Sequence, residues 1–278
     1  MTELIPLVID VSTLSSALNE GSAKPILLDV RPDEPYSTGH IAGALPLNPA
    51  LLNDSSPPHG GLLPAPGKVQ IWASELGLSQ DSTIVVYDEG KATAAARAVW
   101  VLHAYGFTNV HWLNGGIQAW VAAGHPTTDA ASAKPKANSA LHLSLNAAVV
   151  LSKEELKENL ALDANAAQKR TPVDTRTAGE FAGTDVRAER GGHMPGAVHY
   201  EWLDMFTEAG TLKPETELRD AIKQRGLSEQ DACVVYCQTH QRSAVTYVVM
   251  KHLGFKDVAA LDGAWSNWGN HPDTPIES

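Results

Sequence analysis

Cys237 and Arg242 stand five positions apart in the run Tyr236-Cys237-Gln238-Thr239-His240-Gln241-Arg242-Ser243. A thiol and a guanidinium at that spacing suit a thiolate nucleophile acting on an anionic substrate. The thiolate is the reactive form, and a free cysteine of pKa about 8.5 is little ionised at neutral pH. The flanking sequence supplies what would ionise it. Cys233 to Tyr236 is a short apolar run that predicts a buried strand. From Ser243 the apolar residues Val245, Val248, Val249 and Leu253 recur at helical spacing, with Gly254 as the stop. Cys237 therefore falls where backbone N–H groups and the positive end of a helix converge, a setting that favours thiolate over thiol. The turn from Cys237 to Arg242 contains neither Gly nor Pro, so it is not an ordinary flexible loop. The competing reading makes Cys237 a small core residue, since free cysteine is often buried. Its place at a strand's exit, ahead of an arginine, favours the nucleophile. Arg242 would contact the substrate or cap the turn. His240 would add charge or face solvent, Gln238, Thr239 and Gln241 would shape the turn, and Cys233 reads as core.

The elements that must position this turn occur twice. Asp29 and Arg31 answer to Asp174 and Arg176, and Gly39-His40 to Gly192-His193. Asp88, at the end of Thr83-Ile84-Val85-Val86-Tyr87, answers to Cys237. Tyr105-Gly106-Phe107 answers to Leu253-Gly254-Phe255, and Leu113 to Trp120 answers to Leu261 to Trp268. The offsets stay close (174 − 29 = 145; 237 − 88 = 149; 254 − 106 = 148), which marks a duplication. The first copy has no thiol at its turn, and Thr93 stands opposite Arg242, so it is expected to be catalytically silent and to wall one side of the site. An acid–base pair or a histidine present in both copies, as with Asp174, Arg176 and His193, is better read as structural.

Short apolar runs alternate with helical segments, which argues for an α/β fold with parallel strands. In the second copy the pattern predicts a helix ending near Leu160 with Ser152 as N-cap, a strand over 172–174, a helix over 215–224, a strand over 231–236 and another over 258–261. The Ala-, Ser- and Thr-rich stretch from Pro126 to Leu143 reads as a linker, giving domains 1–126 and 146–278 with 127–145 between them. A chain of 278 residues accommodates two such domains. Its formal charge of −11 argues against nucleic acid and against an anionic membrane surface as partners. No apolar run approaches the length of a membrane span. The start has no basic region followed by an apolar one, so no secretory signal is expected. Two cysteines give neither a disulfide framework nor a zinc pattern, and a reducing cytoplasm is the expected compartment.

The turn, with Gly192-His193-Met194-Pro195-Gly196-Ala197 upstream and Asp262-Gly263-Ala264-Trp265 downstream, closely resembles the rhodaneses, more narrowly the bacterial two-domain type. The resemblance covers nearly the whole chain. It implies two tandem rhodanese-like domains, each a parallel five-stranded sheet with helices on both faces. It implies sulfur transfer from thiosulfate to a thiophile such as cyanide through a persulfide on Cys237, with no metal and no organic cofactor. The partners would be a small-molecule sulfur donor and acceptor, or a protein acceptor if the chain is a sulfur carrier. Two relatives bound the reading. Mercaptopyruvate sulfurtransferases carry a small Gly-containing turn, whereas this turn is bulky. Phosphatases on a related fold have five residues between Cys and Arg, whereas here four intervene (242 − 237 = 5). Two departures stand out. Glu180 occupies the place of an arginine that contacts substrate in many eukaryotic members, and Asn267 stands where an acid is usual.

Overall fold

The computed structural model describes residues 6–20, 24–54, 56, 60–163 and 166–278. The chain forms two compact units. The first is built from β1 (Val8–Ile9), α1 (Val11–Glu20), β2 (Ile26–Asp29), α2 (Asp33–Thr38), β3 (Leu45–Pro46), α3 (Pro66–Glu75), β4 (Ile84–Tyr87), α4 (Thr93–Ala104), β5 (Val110–Leu113) and α5 (Gly116–Ala122). The second follows the same plan with β6 (Val150–Leu151), α6 (Lys153–Leu160), β7 (Thr171–Asp174), α7 (Ala178–Phe181), β8 (Val198–His199), α8 (Glu215–Gln224), β9 (Cys233–Tyr236), α9 (Arg242–His252), β10 (Val258–Leu261) and α10 (Ala264–Trp268). Each sheet has five parallel strands flanked by helices, in the orders β1-β5-β4-β2-β3 and β6-β10-β9-β7-β8. The central strands, β4 and β9, are buried at every position, as expected where helices cover a parallel sheet.

The predicted elements of the second copy are present, with small shifts at their ends. Ser152 caps α6 in a capping box with Glu155. The strand expected over 231–236 begins only at Cys233, because Asp231 turns back to accept the Ser228 amide at 2.6 Å and to donate its own amide to the Ser228 carbonyl at 3.0 Å. The units do not divide at one point of the sequence. Residues 53–63 cluster with the second unit and residues 208–212 with the first. Residues 127–145, read from composition as a linker, cluster with the first unit. Asn138 there donates to the Leu78 carbonyl at 2.8 Å and its own carbonyl accepts from the Ser74 hydroxyl at 2.7 Å.

The repeated acid–base pair is a structural latch in both units. Arg176 Nε and Nη2 donate to Asp174 at 2.9 and 2.6 Å, and Nη2 also reaches the Gly192 carbonyl at 2.6 Å. Arg31 does the same with Asp29, at 3.0 and 2.7 Å, and with the Gly39 carbonyl at 2.7 Å. The repeated histidines fix the neighbouring turns: His40 Nδ1 lies 2.9 Å from the Tyr36 carbonyl, and His193 Nδ1 lies 2.9 Å from the Phe181 carbonyl. The Arg176–Asp174 pair is sealed, with side-chain exposures of 2% and 0%. Removing one partner of such a pair leaves a buried charge uncompensated. Asp174→Ala is therefore expected to cost about 3–5 kcal/mol of stability, read as a lower urea midpoint at unchanged slope.

Candidate active site

Cys237 follows the last residue of β9, the central strand, and so lies off the carboxyl ends of the sheet, where ligands of open α/β sheets bind. The adjacent strand β7 ends in register with it, Asp174 opposite Tyr236. The Cys237 carbonyl accepts the Trp265 amide and the Gln238 carbonyl the Ser266 amide, both at 2.9 Å, so the start of α10 anchors the first two residues of the turn. The rest is held by contacts from outside it. Gln238 Nε2 donates to the Arg187 carbonyl at 2.9 Å. Gln241 Nε2 donates to Asn53 Oδ1 at 2.8 Å. Gly61 lies so close to Thr239 that a Cβ on it would stand 2.3 Å from the Thr239 carbonyl oxygen. Helix α9 then begins at Arg242. The six predicted site residues thus share one turn.

His240 takes a left-handed backbone, φ +53°, which costs energy in any residue with a Cβ. Its ring is fully buried, with Nδ1 2.6 Å from the Ser243 hydroxyl. The solvent-facing alternative for His240 does not hold; the ring is turned inward and fixes the turn to the first residues of α9.

Arg242 is held by Glu180. The guanidinium meets both carboxylate oxygens, Nη1 on Oε2 at 2.6 Å and Nη2 on Oε1 at 2.8 Å. Glu180 is fully buried and is itself the closing residue of the capping box that starts α7, accepting from the Thr177 amide at 3.1 Å. Burial opposes its charge, yet the bonds from Arg242 and Thr177 prevail and hold it down to about 2. For Arg242 too burial works against the charge, and Glu180 together with the charge and hydrogen bonding at Cys237 raises it above the ordinary arginine value. Arg187, half exposed, places Nε 3.8 Å from the Glu180 carboxylate. Both cysteines are free and buried, and burial pushes the Cys233 thiol up to about 12.

The first unit shows what this kind of turn is built to hold. Asp88 occupies the place of Cys237, and its carbonyl accepts the Ile117 amide at 2.9 Å, matching the bond from Trp265 to Cys237. Its carboxylate is drawn into the turn, accepting from the amides of Gly90 at 2.8 Å, Ala92 at 3.2 Å and Ala95 at 3.3 Å. Burial raises the Asp88 carboxyl from its ordinary value while these amides pull it back. The positions 149 further on (237 − 88 = 149) are Thr239, Gln241 and Ala244. Among the described hydrogen bonds their amides donate to no protein acceptor; Ala244 lies in the first turn of α9, and Thr239 and Gln241 just before it.

Sequence reading missed the part played by Asn53, Gly61 and Arg187. Their only signals were a Gly60-Gly61 pair and an arginine in a charged stretch, neither of which points to a turn so distant in sequence. Asn267 donates to the Asp262 carbonyl at 3.3 Å, a local bond that an acid could not donate. Trp265 and Trp268 are core residues. Among the described residues no group of side chains is arranged to hold a metal ion.

Two outcomes test this geometry. Gly61→Ala must displace the turn or its own segment, and is expected to change the rate of Cys237 alkylation by iodoacetamide several-fold, whereas Gly67→Ala, with nothing within 4 Å of its Cβ, leaves it unchanged. The Glu180 pair contributes stability in full above the ordinary carboxyl value of 4.5 and loses it as the pH falls toward about 2, so Glu180→Gln should flatten the acid limb of the stability curve in that window.

Comparison with known proteins gives the family. The family model described as "Rhodanese-like domain" matches twice, over residues 10–123 and 152–271. The chain is 36% identical to the thiosulfate sulfurtransferase of Pseudomonas aeruginosa, over 98% of this chain and 97% of that one. It is 32% identical to the 3-mercaptopyruvate sulfurtransferase of Escherichia coli K12, over 87% of this chain and 84% of that one. Among solved structures, an anaerobic ergothioneine biosynthesis enzyme from Chlorobium limicola superposes with TM-score 0.86 at 20% identity, covering 100% of this chain and 72% of that one, a likeness of fold. With both units matched, the chain belongs to the rhodanese family, as a tandem of two rhodanese-like domains.

Proposed function

We propose that the chain is a thiosulfate sulfurtransferase with Cys237 as its only nucleophile. The observation that carries this reading is the Asp88 carboxylate seated on turn amides in the first unit: the duplicated turn is an anion cradle, and in the second unit the group at its rim is a thiol. In the first half-reaction the Cys237 thiolate attacks the outer sulfur of thiosulfate. A new S–S bond forms to the enzyme, the S–S bond of thiosulfate breaks, and sulfite leaves with the electron pair. In the second, cyanide attacks the outer sulfur of the persulfide, thiocyanate leaves and the thiolate returns. Both enzyme forms are anionic at the same spot, and the free amides of the turn serve both, as fixed donors serve an oxyanion. Arg242 adds the charge that neutralises the sulfonate end of the donor. Gln238, Thr239, His240 and Gln241 give the turn its shape. No step calls on a metal or an organic cofactor.

The relative from Pseudomonas aeruginosa supports thiosulfate as donor, and the bulky turn supports it over 3-mercaptopyruvate. The same persulfide could be passed to a protein acceptor, and the half-reactions would be unchanged. A thiol that must stay reduced fits a reducing, cytoplasmic setting, and both cysteines are free. No described helix is long and apolar enough to cross a membrane.

Incubation with thiosulfate is expected to add the mass of one sulfur atom, mapped by peptide to Cys237, and Cys237→Ala to take up none while unfolding at the same urea concentration. Iodoacetamide should label Cys237 well before Cys233, whose thiol burial holds up at about 12. Arg242→Ala should raise KM for thiosulfate about tenfold or more with a smaller effect on kcat, the cost of losing one charge-assisted contact. A kcat/KM for 3-mercaptopyruvate above that for thiosulfate would reassign the donor.

A further inference from the structure

The duplication separates what the fold needs from what the reaction needs. The Asp–Arg latch is present in both units and belongs to the fold. The Glu180–Arg242 fork is present in one. By the offsets of the two blocks (180 − 145 = 35; 242 − 149 = 93), its partners in the first unit are Pro35 and Thr93, neither of which carries a charge. Pro35 and Thr93 line a single cleft of about 310 Å³ in that unit, beside Asp88. At the three equivalent positions the first copy thus has Asp88, Pro35 and Thr93 in place of thiol, carboxylate and cation, and the charges that line its cleft, Arg31, Glu89 and Lys91, come from other positions.

The fork also has the geometry of a positioning device. A guanidinium is planar, and two parallel bonds to one carboxylate fix the plane and both in-plane directions. Its remaining N–H groups are then aimed without freedom, and Cys237 is among the groups that interact with it. Glu180 in turn is fixed through the Thr177 capping box, and Thr177 follows Arg176 of the buried latch at the end of β7, the strand next to β9. A rigid path of side chains and backbone leads from the sheet to the reacting sulfur.

We infer that Glu180 is a positioning residue: its carboxylate aims the Arg242 guanidinium at the Cys237 sulfur and the anionic end of the donor, although its own charge repels that donor. This deepens the sulfurtransferase reading and rests on it for the identity of the donor. The role opposes the simple electrostatic expectation. A buried carboxylate next to an anion site should weaken anion binding, so removing its charge without its volume would help the reaction if orientation were irrelevant.

Glu180→Gln keeps the volume and can still close the capping box, but cannot accept two bonds from Arg242. It is to be compared with wild type and repeated in an Arg242→Lys background, where no fork exists to be lost. Two readouts are taken with thermal midpoints as the control for folding. The first is kcat/KM for thiosulfate. Glu180→Gln is expected to lower it about tenfold in the wild-type background and less than about twofold in the Arg242→Lys background, since a residue acting through another loses its effect when that other is gone. The second is the ratio of Cys237 alkylation rates by iodoacetate and by neutral iodoacetamide, which needs no sulfur transfer. Positioning predicts that the ratio falls in Glu180→Gln. A rise would show that Glu180 acts only as a repelling charge, and an unchanged ratio, or equal losses of kcat/KM in both backgrounds, would show a merely structural part; each overturns the inference. If wild type accepts no sulfur from thiosulfate, the donor assignment falls, and the alkylation ratio alone decides the role of Glu180.

Discussion

A buried anion must be met by donors that are already in place. Most of the second unit can be understood as a way to supply them at one point beyond β9. The central strand of a parallel sheet delivers a side chain to the carboxyl edge, and the following helix leaves its first amides without intrahelical partners. Only five residues, Cys237 to Gln241, join the two, which keeps those amides close to the end of the strand. The first unit meets the same constraint with a different anion. Asp88 cannot leave its own turn, and its carboxylate lies on the amides as a permanent occupant. One turn holds an acid side chain tethered to it; the other has the Cys237 thiol in the corresponding place.

A cradle works only if it does not relax. Glycine would let such a turn form at little local cost, but would also let it move. Here the turn has none, and His240 takes the left-handed conformation at a cost that the surroundings must cover. The α10 amides at Trp265 and Ser266, Asn53 and the Arg187 carbonyl each hold one residue of it, and the backbone at Gly61 closes the remaining side. Glycine is therefore displaced from the turn to the segment that presses on it. Gly61 has φ +75° and no room for a Cβ, so both reasons for glycine apply there.

This division explains what could be read from sequence. The strand, turn and helix around Cys237 were legible because they are local: an apolar run, a break and a helical period follow one another within a short window. The duplication was legible because it compares the chain with itself, and it marked Asp174 and Arg176 as structural, which their buried pairing bears out. What was hidden is non-local. Nothing in the spacing of Glu180 marks it as the partner of Arg242, sixty-two positions on. In the sequence it stood only as a departure from an arginine of eukaryotic members; in space it is the group that holds Arg242. Residues 53–63 are similar: composition gives them to the first unit, and only the fold assigns them to the second.

The charge balance of the site follows from the same geometry. The chain carries a net −11, so an anionic donor approaches against the overall field and must find a local cation. Arg242 is that cation, but Glu180 neutralises it at closest range, and Arg187 shares its own charge with Asp185 at 2.9 Å and Glu180 at 3.8 Å. Attraction by net charge alone would therefore be weak here. What remains is directional: backbone amides with no competing acceptor, and the unshared N–H groups of a guanidinium whose plane is locked. A site of that kind draws its anions less by steering from a distance than by rewarding the one placement in which every donor is used. That favours a compact anion such as thiosulfate, whose outer sulfur and sulfonate lie one bond apart, over a longer donor whose charge would have to be met elsewhere.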